Sequence, residues 1–493
     1  MLNNISNLED NSFFRAIGKV NYQLKKSWFG SLVNFETNSR KNVTTNQFVN
    51  TSHRYKDFEV YFGVGDTTKV YAIFGYNFRN NDSIKSNAFA EINNRNTFYV
   101  KSKLIQNKKT NLSVFANYRI TENAFTTDEK TLNSRVVYNQ KLFNNFLNLG
   151  TVYETSSGNV ARQDFVYIKV EPGLGYYTWI DYNNDGIEDF NEFEVAQFQD
   201  QANYLRLPKP NLRFIPTQRA KLQQSITLNA GKWANQKGLK KLLSHFYNQS
   251  FLTVENEQER VENSFQLNPF DFNENSLISL NYNIRNSLFY NRGLQNHSMT
   301  YTYGNSNIKQ QYFIGNQENK INLHQLDYTH KFADFWLINL MGKLAENSLE
   351  TENFSDRNYD LNEFEIQPKI SFLYNQNNRF SAFYHLKNKE NTIENFESLQ
   401  QHKFGVEYFY ISKKQNQISA NVNYFLNDFV GSTNSPVAYQ MLEGLQAGKN
   451  YTWNVIFNQK LNSFLNLNLS YFGRKSETSK TIHTGNVQLR ANF

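Results

Sequence analysis

Apolar and polar residues alternate with a period of two along most of this chain, and this pattern constrains the fold more than any other feature. Successive side chains of a β-strand point to opposite sides, so the alternation predicts strands with one apolar face and one polar face. The pattern recurs over residues 14–24, 112–120, 278–285 and 465–471. In residues 417–426 it consists of Ile418, Ala420, Val422, Tyr424 and Leu426 interleaved with Gln417, Ser419, Asn421 and Asn423. The chain is therefore predicted to be all-β.

The last stretch, from His483 to Phe493, shows the same alternation and ends on an aromatic residue. It is similar to the closing strand of bacterial outer-membrane β-barrels, whose terminal aromatic is read by the barrel-assembly machinery. The resemblance implies that Phe493 contacts this machinery and that outer-membrane lipid surrounds the protein. An ordinary edge strand that happens to end in Phe would show the same alternation.

Strand length and turn composition distinguish a transmembrane barrel from a soluble sandwich. A sandwich breaks its strands about every 5 or 6 residues, with frequent Gly and Pro turns. The strands here run for about 10 to 13 residues, the length that crosses a bilayer with tilt, and the chain has only 22 Gly and 7 Pro. Aromatic residues reach 16%. The mean hydropathy of −0.67 does not oppose a barrel, because only every second residue would face lipid.

Short turns and long polar loops alternate over most of the chain, as in barrels with short periplasmic turns. The turns divide the chain into about 23 strands, which predicts a large antiparallel transmembrane β-barrel of roughly 22 to 26 strands. Alternation does not divide three segments into strands and turns, namely residues 80–96, 232–245 and 257–274. Counted back from Phe493 at the periplasmic end, the first strand would start outside, and residues 1–10 lack the features of a signal peptide. We therefore expect at least one further strand and a signal peptide upstream, in a longer parent chain.

The alternation stops between Glu171 and Pro216, where four of the seven prolines lie. This predicts a non-barrel insert at residues 171–216, between an N-terminal barrel part at 1–170 and a C-terminal barrel part at 217–493. Strand counting places the insert on the periplasmic side, whereas one miscounted strand would place it outside.

Within the insert, the run from Asp181 to Glu192 has the spacing of a calcium-binding loop. Ca²⁺ takes about 6 to 8 oxygen ligands, and a glycine at the sixth position permits the sharp turn that lets them converge. Position 8 and the extended residues before the loop depart from an EF-hand, so the run is closer to thrombospondin-type-3-like repeats. An acidic turn without metal is the alternative. The predicted ligands of a structural Ca²⁺ are Asp181, Asn183, Asp185, the carbonyl of Ile187, Asp189 and Glu192.

The insert and the C-terminal part resemble a family of large outer-membrane β-barrel proteins of Bacteroidota. The resemblance rests on residues 175–186, 191–194, 204–206, 441–446, 448–453, 473–475 and 483–493. It implies a location in the outer membrane of a Gram-negative bacterium and a longer parent chain. It implies no particular activity.

Composition and motifs argue against several function classes. The absence of Cys removes disulfides, Cys-based metal sites and thiol nucleophiles. Lys and Arg are scattered, with a net charge of +8, which suits a cation-rich lumen rather than nucleic-acid binding. No Ser-His-Asp arrangement, HExxH or phosphate loop is visible, so we do not expect an enzyme.

Three functions stay open at this point. The first is a wide outer-membrane channel or translocation pore, which could work with other envelope proteins and carry the calcium insert as a gate. The second is a TonB-dependent-type importer, which would need a plug and an energy-coupling segment upstream. The third is a calcium-stabilised surface or adhesion protein that the barrel only anchors.

Overall fold

The computed structural model describes residues 2–5, 9–161, 164–209, 214–260, 264–375, 377–412, 416–462 and 464–491. In this part of the chain, 22 strands form one large sheet and four form a second sheet. The prediction of an all-β fold with a large antiparallel sheet is confirmed. Among the same residues, no helix has both the length and the apolar character needed to cross a membrane.

The strands of the large sheet are mostly 12 to 19 residues long. They are β1 (Leu2–Ile5), β2 (Glu9–Leu24), β3 (Ser27–Asn42), β4 (His53–Gly65), β5 (Tyr71–Lys85), β6 (Ala88–Gln106), β7 (Thr110–Asn123), β8 (Glu129–Leu142), β9 (Leu147–Ala161), β14 (Phe214–Asn229), β15 (Phe246–Glu259), β16 (Leu277–Tyr290), β17 (Ser298–Tyr312), β18 (Gly315–Phe332), β19 (Trp336–Thr351), β20 (Tyr359–Leu373), β21 (Asn378–Asn391), β22 (Ser398–Ile411), β23 (Gln417–Val430), β24 (Gly448–Lys460), β25 (Leu465–Ser476) and β26 (Ile482–Ala491).

The second sheet lies between β9 and β14, in the region predicted as an insert. Its strands are β10 (Asp164–Lys169), β11 (Tyr177–Trp179), β12 (Phe193–Val195) and β13 (Tyr204–Lys209), in the order β10-β13-β11-β12. We call residues 164–209 the insert. Two short α-helices, α1 (Leu239–Leu243) and α2 (Pro436–Leu442), occur in connections of the large sheet.

The described chain divides into two compact units. The first comprises Met1–Val160, Phe214–Ile226 and Leu252–Ile278. The second comprises Ala161–Arg213, Thr227–Phe251 and Ser279–Phe493, and so includes the insert. The predicted division at residues 170 and 216 stays a prediction.

In the first unit, consecutive strands pair as antiparallel hairpins, and the register aligns apolar side chains on one face. Phe62 of β4 lies opposite Phe29 of β3 and Phe74 of β5, and the rings of Phe29 and Phe62 are 4.9 Å apart. These three side chains are 37–51% exposed. The other face carries polar residues such as Glu59, because side chains alternate across a strand.

In the second unit, the same alternation gives the sheet an exposed apolar face and a polar face. Phe404 and Val406 of β22 are 52% and 43% exposed, and they lie opposite Tyr384 and Ala382 of β21. Gly405 lies between them on β22 and belongs to the polar face, together with Lys403 and Glu407. The polar face carries the ion pairs Lys343–Glu365 and Lys369–Glu407 and a hydrogen bond between His385 and Glu365.

Helix α2 covers an apolar patch on this polar face. Ser435 caps the helix by accepting a hydrogen bond from the Ala438 N–H at 3.1 Å. The buried side chains of the helix pack on strands β20 and β22, in a cluster of Tyr359, Leu361, Leu399, Val437, Ala438, Met441 and Leu442. Because nearly all of these side chains are fully buried, the helix is held mainly by the hydrophobic effect.

The region 80–96, which resisted division by sequence, is a hairpin of β5 and β6. Its turn has only two residues between the strands, Ser86 and Asn87, and both have positive φ (50° and 58°), as a type I′ hairpin turn requires. The predicted closing strand is present as β26, whereas Phe493 lies outside the described residues.

Candidate functional site

The insert is built around a small aromatic core. Tyr167 of β10 stacks on Phe193 of β12 with ring centroids 3.9 Å apart, and Tyr204 of β13 meets Phe193 edge-on at 5.0 Å. Burial, together with Glu188, which accepts a hydrogen bond from its hydroxyl at 2.6 Å, raises the pKa of Tyr204 to about 12. These contacts hold the loop that was predicted to bind calcium against the second sheet.

The structure brings three of the predicted calcium ligands together at the start of this loop. Asp181 accepts hydrogen bonds from the N–H groups of Asp185 and Gly186 at 3.1 and 2.9 Å. Asn183 also accepts from the Asp185 N–H at 2.9 Å, and Asp185 accepts from the Ile187 N–H at 2.7 Å. Gly186 has a φ of +73°, which supports its predicted role in the turn.

Glu192 makes a separate set of hydrogen bonds. It is 1% exposed, and its two carboxylate oxygens accept hydrogen bonds from Trp179 Nε1 at 2.8 Å and from the Tyr182 N–H at 3.1 Å. Asp189 donates its N–H to the Ile187 carbonyl at 3.1 Å, so that carbonyl already has a partner. Within the described residues, no group of three or more His, Cys, Asp or Glu is arranged to hold a metal ion. The calcium site stays a prediction.

Within the second unit, Arg357 holds the insert to the large sheet. Arg357 lies in the connection between β19 and β20. Its guanidinium donates to the carbonyls of Asn191 and Phe193 at 2.9 and 3.1 Å and pairs with Glu194 at 3.0 Å. Burial raises the pKa of the Glu194 carboxyl and the nearby Arg357 charge offsets only part of this rise, so that the net pKa is about 7. The interface therefore holds a carboxyl that titrates near neutral pH.

The insert also contacts helix α2 and strand β25. The Tyr439 hydroxyl donates to the Val195 carbonyl and accepts from the Gln197 N–H, both at 3.2 Å. Arg474 of β25 pairs with Asp200 at 2.6 Å. Because Arg474 points from the polar face, the insert and α2 together cover part of that face.

These contacts place the insert near the end of the sheet where β26 begins. Arg474 lies opposite Ile482, the first residue of β26, whereas that strand ends at Ala491. Strand counting had favoured the end where β26 finishes and had left the opposite end open to one miscounted strand; the contacts of the insert correspond to the opposite end. Between the insert and Phe493, the two segments that could not be divided into strands contain the connections on either side of β15, including helix α1.

A cavity of about 440 Å³ lies between the insert and the polar face of strands β22–β26. The insert contributes its residues 197–200, and the connection after α2 contributes Glu443 and Leu445. The strands contribute a mixture of amide, aromatic and basic side chains, which include Lys403, Asn423, Phe425, Thr452 and Arg474. This composition resembles that of small-molecule sites, which combine apolar walls with a few polar groups.

Sequence reasoning missed the residues that build the anchor and the cavity. The partners are far apart in sequence: the residue numbers of Arg357 and Glu194 differ by 163 and those of Arg474 and Asp200 by 274. Lys403 sits within an ordinary alternating strand. No local pattern distinguishes these basic side chains from others on the polar face.

No protein family and no curated protein matches the chain. Several solved structures are similar to it at low sequence identity. The FrpB iron transporter of Neisseria meningitidis is 10% identical, with 94% of this chain and 76% of that chain covered and a TM-score of 0.37.

Two further receptors have comparable sequence identity and coverage. The ferric enterobactin receptor of Pseudomonas aeruginosa is 8% identical, with 96% and 73% covered and a TM-score of 0.36. The ferric-catecholate import receptor Fiu of Escherichia coli is 8% identical, with 94% and 75% covered and a TM-score of 0.32. These are outer-membrane β-barrel proteins of Gram-negative bacteria. The resemblance to a Bacteroidota family stays a prediction.

Proposed function

We propose that this chain is an outer-membrane transport barrel in which solutes pass along the polar face of the large sheet and the insert covers one end of the passage. The observation that carries the proposal is the division of the sheet into an exposed apolar face and a charge-paired polar face, with the insert docked on the polar face.

The apolar face supports a lipid environment. Side chains such as Phe29, Phe62, Phe404 and Val406 are 37–52% exposed and lie beside other apolar side chains in register. Monomeric soluble proteins rarely expose contiguous apolar patches of more than a few hundred Å². Strands with apolar-out and polar-in alternation are the pattern of outer-membrane barrels.

The polar face supports an aqueous passage. Lys343 pairs with Glu363 and Glu365 at 3.1 and 2.9 Å, and Lys369 pairs with Glu407 at 2.5 Å. Such charges need water or partners to offset the cost of desolvation. A face lined this way suits hydrophilic solutes.

Because the insert covers part of the polar face, a gated transporter is favoured over a permanently open, wide channel. The insert is held by hydrogen bonds and ion pairs from Arg357, Tyr439 and Arg474 and by aromatic contacts of Phe165 and Phe190 with Phe313. A TonB-dependent-type importer is the second candidate, because a large sheet of 22 strands is the size found in outer-membrane transporters with a plugged lumen.

The test combines heat-modifiability with conductance in planar bilayers. The full chain and a variant with residues 164–209 replaced by a short Gly-Ser linker are purified in detergent, and a folded band that shifts on boiling verifies each barrel. We expect low conductance from the full chain and a large, steady conductance from the deletion variant.

A chain that stays soluble without detergent would refute the membrane location. Equal conductance of the two forms would refute the role of the insert as a cover. If the deletion variant lacks the heat shift, the double variant Arg357→Ala and Arg474→Ala, which retains the insert, is measured instead and is expected to raise conductance.

A further inference from the structure

Lys403 lines the cavity between the insert and strands β22–β26, and no carboxylate of the described residues lies within 4 Å of its ammonium group. We infer that this cavity is a binding site for a small acidic sugar, whose carboxylate pairs with Lys403. The inference deepens the proposed function, because the cavity lies on the face that we assign to solute passage.

Lys403 is held between two aromatic rings rather than by a carboxylate. Its ammonium nitrogen lies 5.0 Å from the ring centroid of Phe425 and 5.3 Å from that of Phe383. In the part of the chain that the structure describes, no carboxylate lies within 4 Å of this nitrogen. Cation–π contacts fix the position of the charge but do not neutralise it.

The neighbouring carboxylates already have other partners. Glu443 pairs with Lys387 at 2.6 Å and with Lys389 at 3.2 Å, and Glu407 pairs with Lys369. Burial alone would raise the pKa of Glu443, but the two lysines hold it below its ordinary value. Glu443 therefore remains an anion committed to those lysines, and the charge of Lys403 is available to a ligand.

The opposite side of the cavity offers a second basic group. Arg474 pairs with Asp200 at 2.6 Å, and its guanidinium lies 4.4 Å from the ring centroid of Phe198. Its Nε–H is buried and has no acceptor in the described structure. A buried donor without a partner carries a free-energy cost that a ligand oxygen can relieve.

Neutral polar groups complete the site. The side-chain carbonyl of Asn454 is buried without a hydrogen-bond partner among the described residues, so it can accept from a ligand hydroxyl. Asn423 and Thr452 are hydrogen-bonded to each other at 3.1 Å and border the same space. Amide and hydroxyl groups of this kind are suited to the hydroxyls of a sugar.

The aromatic walls and the size of the cavity favour a sugar over other anions. Phe198, Phe425 and Phe472 line the space and can contact the apolar C–H face of a sugar ring. The volume of about 440 Å³ is within the range of small-molecule sites, and it exceeds what an inorganic anion would fill. A purely aromatic acid would leave the Asn454 carbonyl and the other amides without partners.

The test is isothermal titration calorimetry on the full chain in detergent, with galacturonate, galactose, benzoate and inorganic phosphate as probes. We expect galacturonate to bind at least tenfold more tightly than the other three. Lys403→Gln is expected to reduce galacturonate affinity at least tenfold, to the level of galactose. Lys101→Gln, on β6 and outside the cavity, serves as the matched control and is expected to leave affinity unchanged.

Absence of galacturonate binding, equal binding of galactose, benzoate or phosphate, or unchanged affinity of Lys403→Gln would each overturn the inference. Heat-modifiability verifies that each variant is folded. If Lys403→Gln does not fold, Lys403→Arg, which keeps the charge, is measured instead. It is expected to retain the preference for galacturonate over galactose. The readout is independent of conductance. Binding that depends on Lys403 would stand even if the insert proved not to control passage.

Discussion

Docking of the insert is expected to weaken as pH rises from about 4.5 to about 7. Glu194 has an ordinary pKa of 4.5 that burial raises to about 7 in the docked insert. One of its carboxylate oxygens is buried without a hydrogen-bond partner among the described residues, which is the physical reason that ionisation is costly there. Arg357 compensates for only part of the cost.

The sign and the size of the effect follow from proton linkage. Below pH 4.5 the carboxyl is protonated in both the docked and the displaced insert, and docking is strongest. Between pH 4.5 and 7 only the docked form keeps the proton, so docking loses free energy as pH rises. Above pH 7 the carboxyl is ionised in both forms and docking weakens no further. The difference between the two pKa values corresponds to a loss of roughly 3 kcal/mol in the free energy of docking.

The measurement is an electron–electron distance between two spin labels in detergent. The chain contains no Cys, so Leu174→Cys in the insert and Phe396→Cys in the connection between β21 and β22 are the only labelling sites, and both positions are 69% exposed. The urea concentration at which the docked distance is half lost is compared at pH 5 and pH 8. We expect a lower midpoint at pH 8.

The matched control is Glu194→Gln, which keeps an acceptor for Arg357 and removes the titration. Its midpoint is expected to be the same at both pH values and close to that of the unsubstituted insert at pH 5. If the unsubstituted insert has equal midpoints at the two pH values, or if Glu194→Gln retains the pH dependence, the explanation by burial of Glu194 is wrong.

Three further perturbations test separate parts of the structure. Arg357→Ala leaves Glu194 buried without its ion pair and is expected to weaken docking by about 3–5 kcal/mol, measured as a lower urea midpoint in the same labelled protein. Phe404→Arg on the apolar face is expected to cost about 2–4 kcal/mol if the residue faces the bilayer centre, whereas Lys403→Gln on the polar face should leave refolding into vesicles unchanged. If the predicted calcium loop binds metal, terbium luminescence sensitised by Trp179 should appear and be lost in Asp181→Asn, and the absence of any signal would identify an acidic turn.

The sequence predicts the strands of the large sheet well because their alternation has a physical cause that acts locally. Apolar residues of β23 such as Val422 and Tyr424 lie opposite Val406 and Phe404 of β22. A shift of one residue would move the whole apolar set to the polar face. The register is therefore implied by the same pattern that predicts the strand.

The strand count and the position of the insert could not be predicted as well, because turns carry less information than strands. The turn at Ser86 and Asn87 depends on two positive φ values in a segment rich in Asn, where no Gly or Pro marks the change of direction. An error of one strand reverses the end assigned to every connection further along the count. The count that placed the insert ran back from Phe493, so the undivided segments at 232–245 and 257–274 bear on that placement.

The candidate site was predictable only where its residues are neighbours in sequence. Asp181, Asn183 and Asp185 were recognised by spacing, and the structure does bring them together through hydrogen bonds to the loop backbone. Arg357 and Arg474 owe their roles to partners more than 160 residues away. Such pairs arise from the fold as a whole and leave no local signal.

The two elements that cover the polar face are held by different forces, and this difference indicates which of them moves. Helix α2 buries Met441 and Ala438 completely, and removing it would expose that apolar surface to water at a cost that grows with area. The insert contacts Arg357, Tyr439 and Arg474 through polar groups that water can replace, and its Phe165 and Phe190 also meet Phe313 edge-on. A rise in pH that ionises Glu194 acts directly on the Arg357 contact, whereas the α2 cluster is held by apolar burial that this ionisation does not alter. We expect opening of the covered end to leave the helix in place.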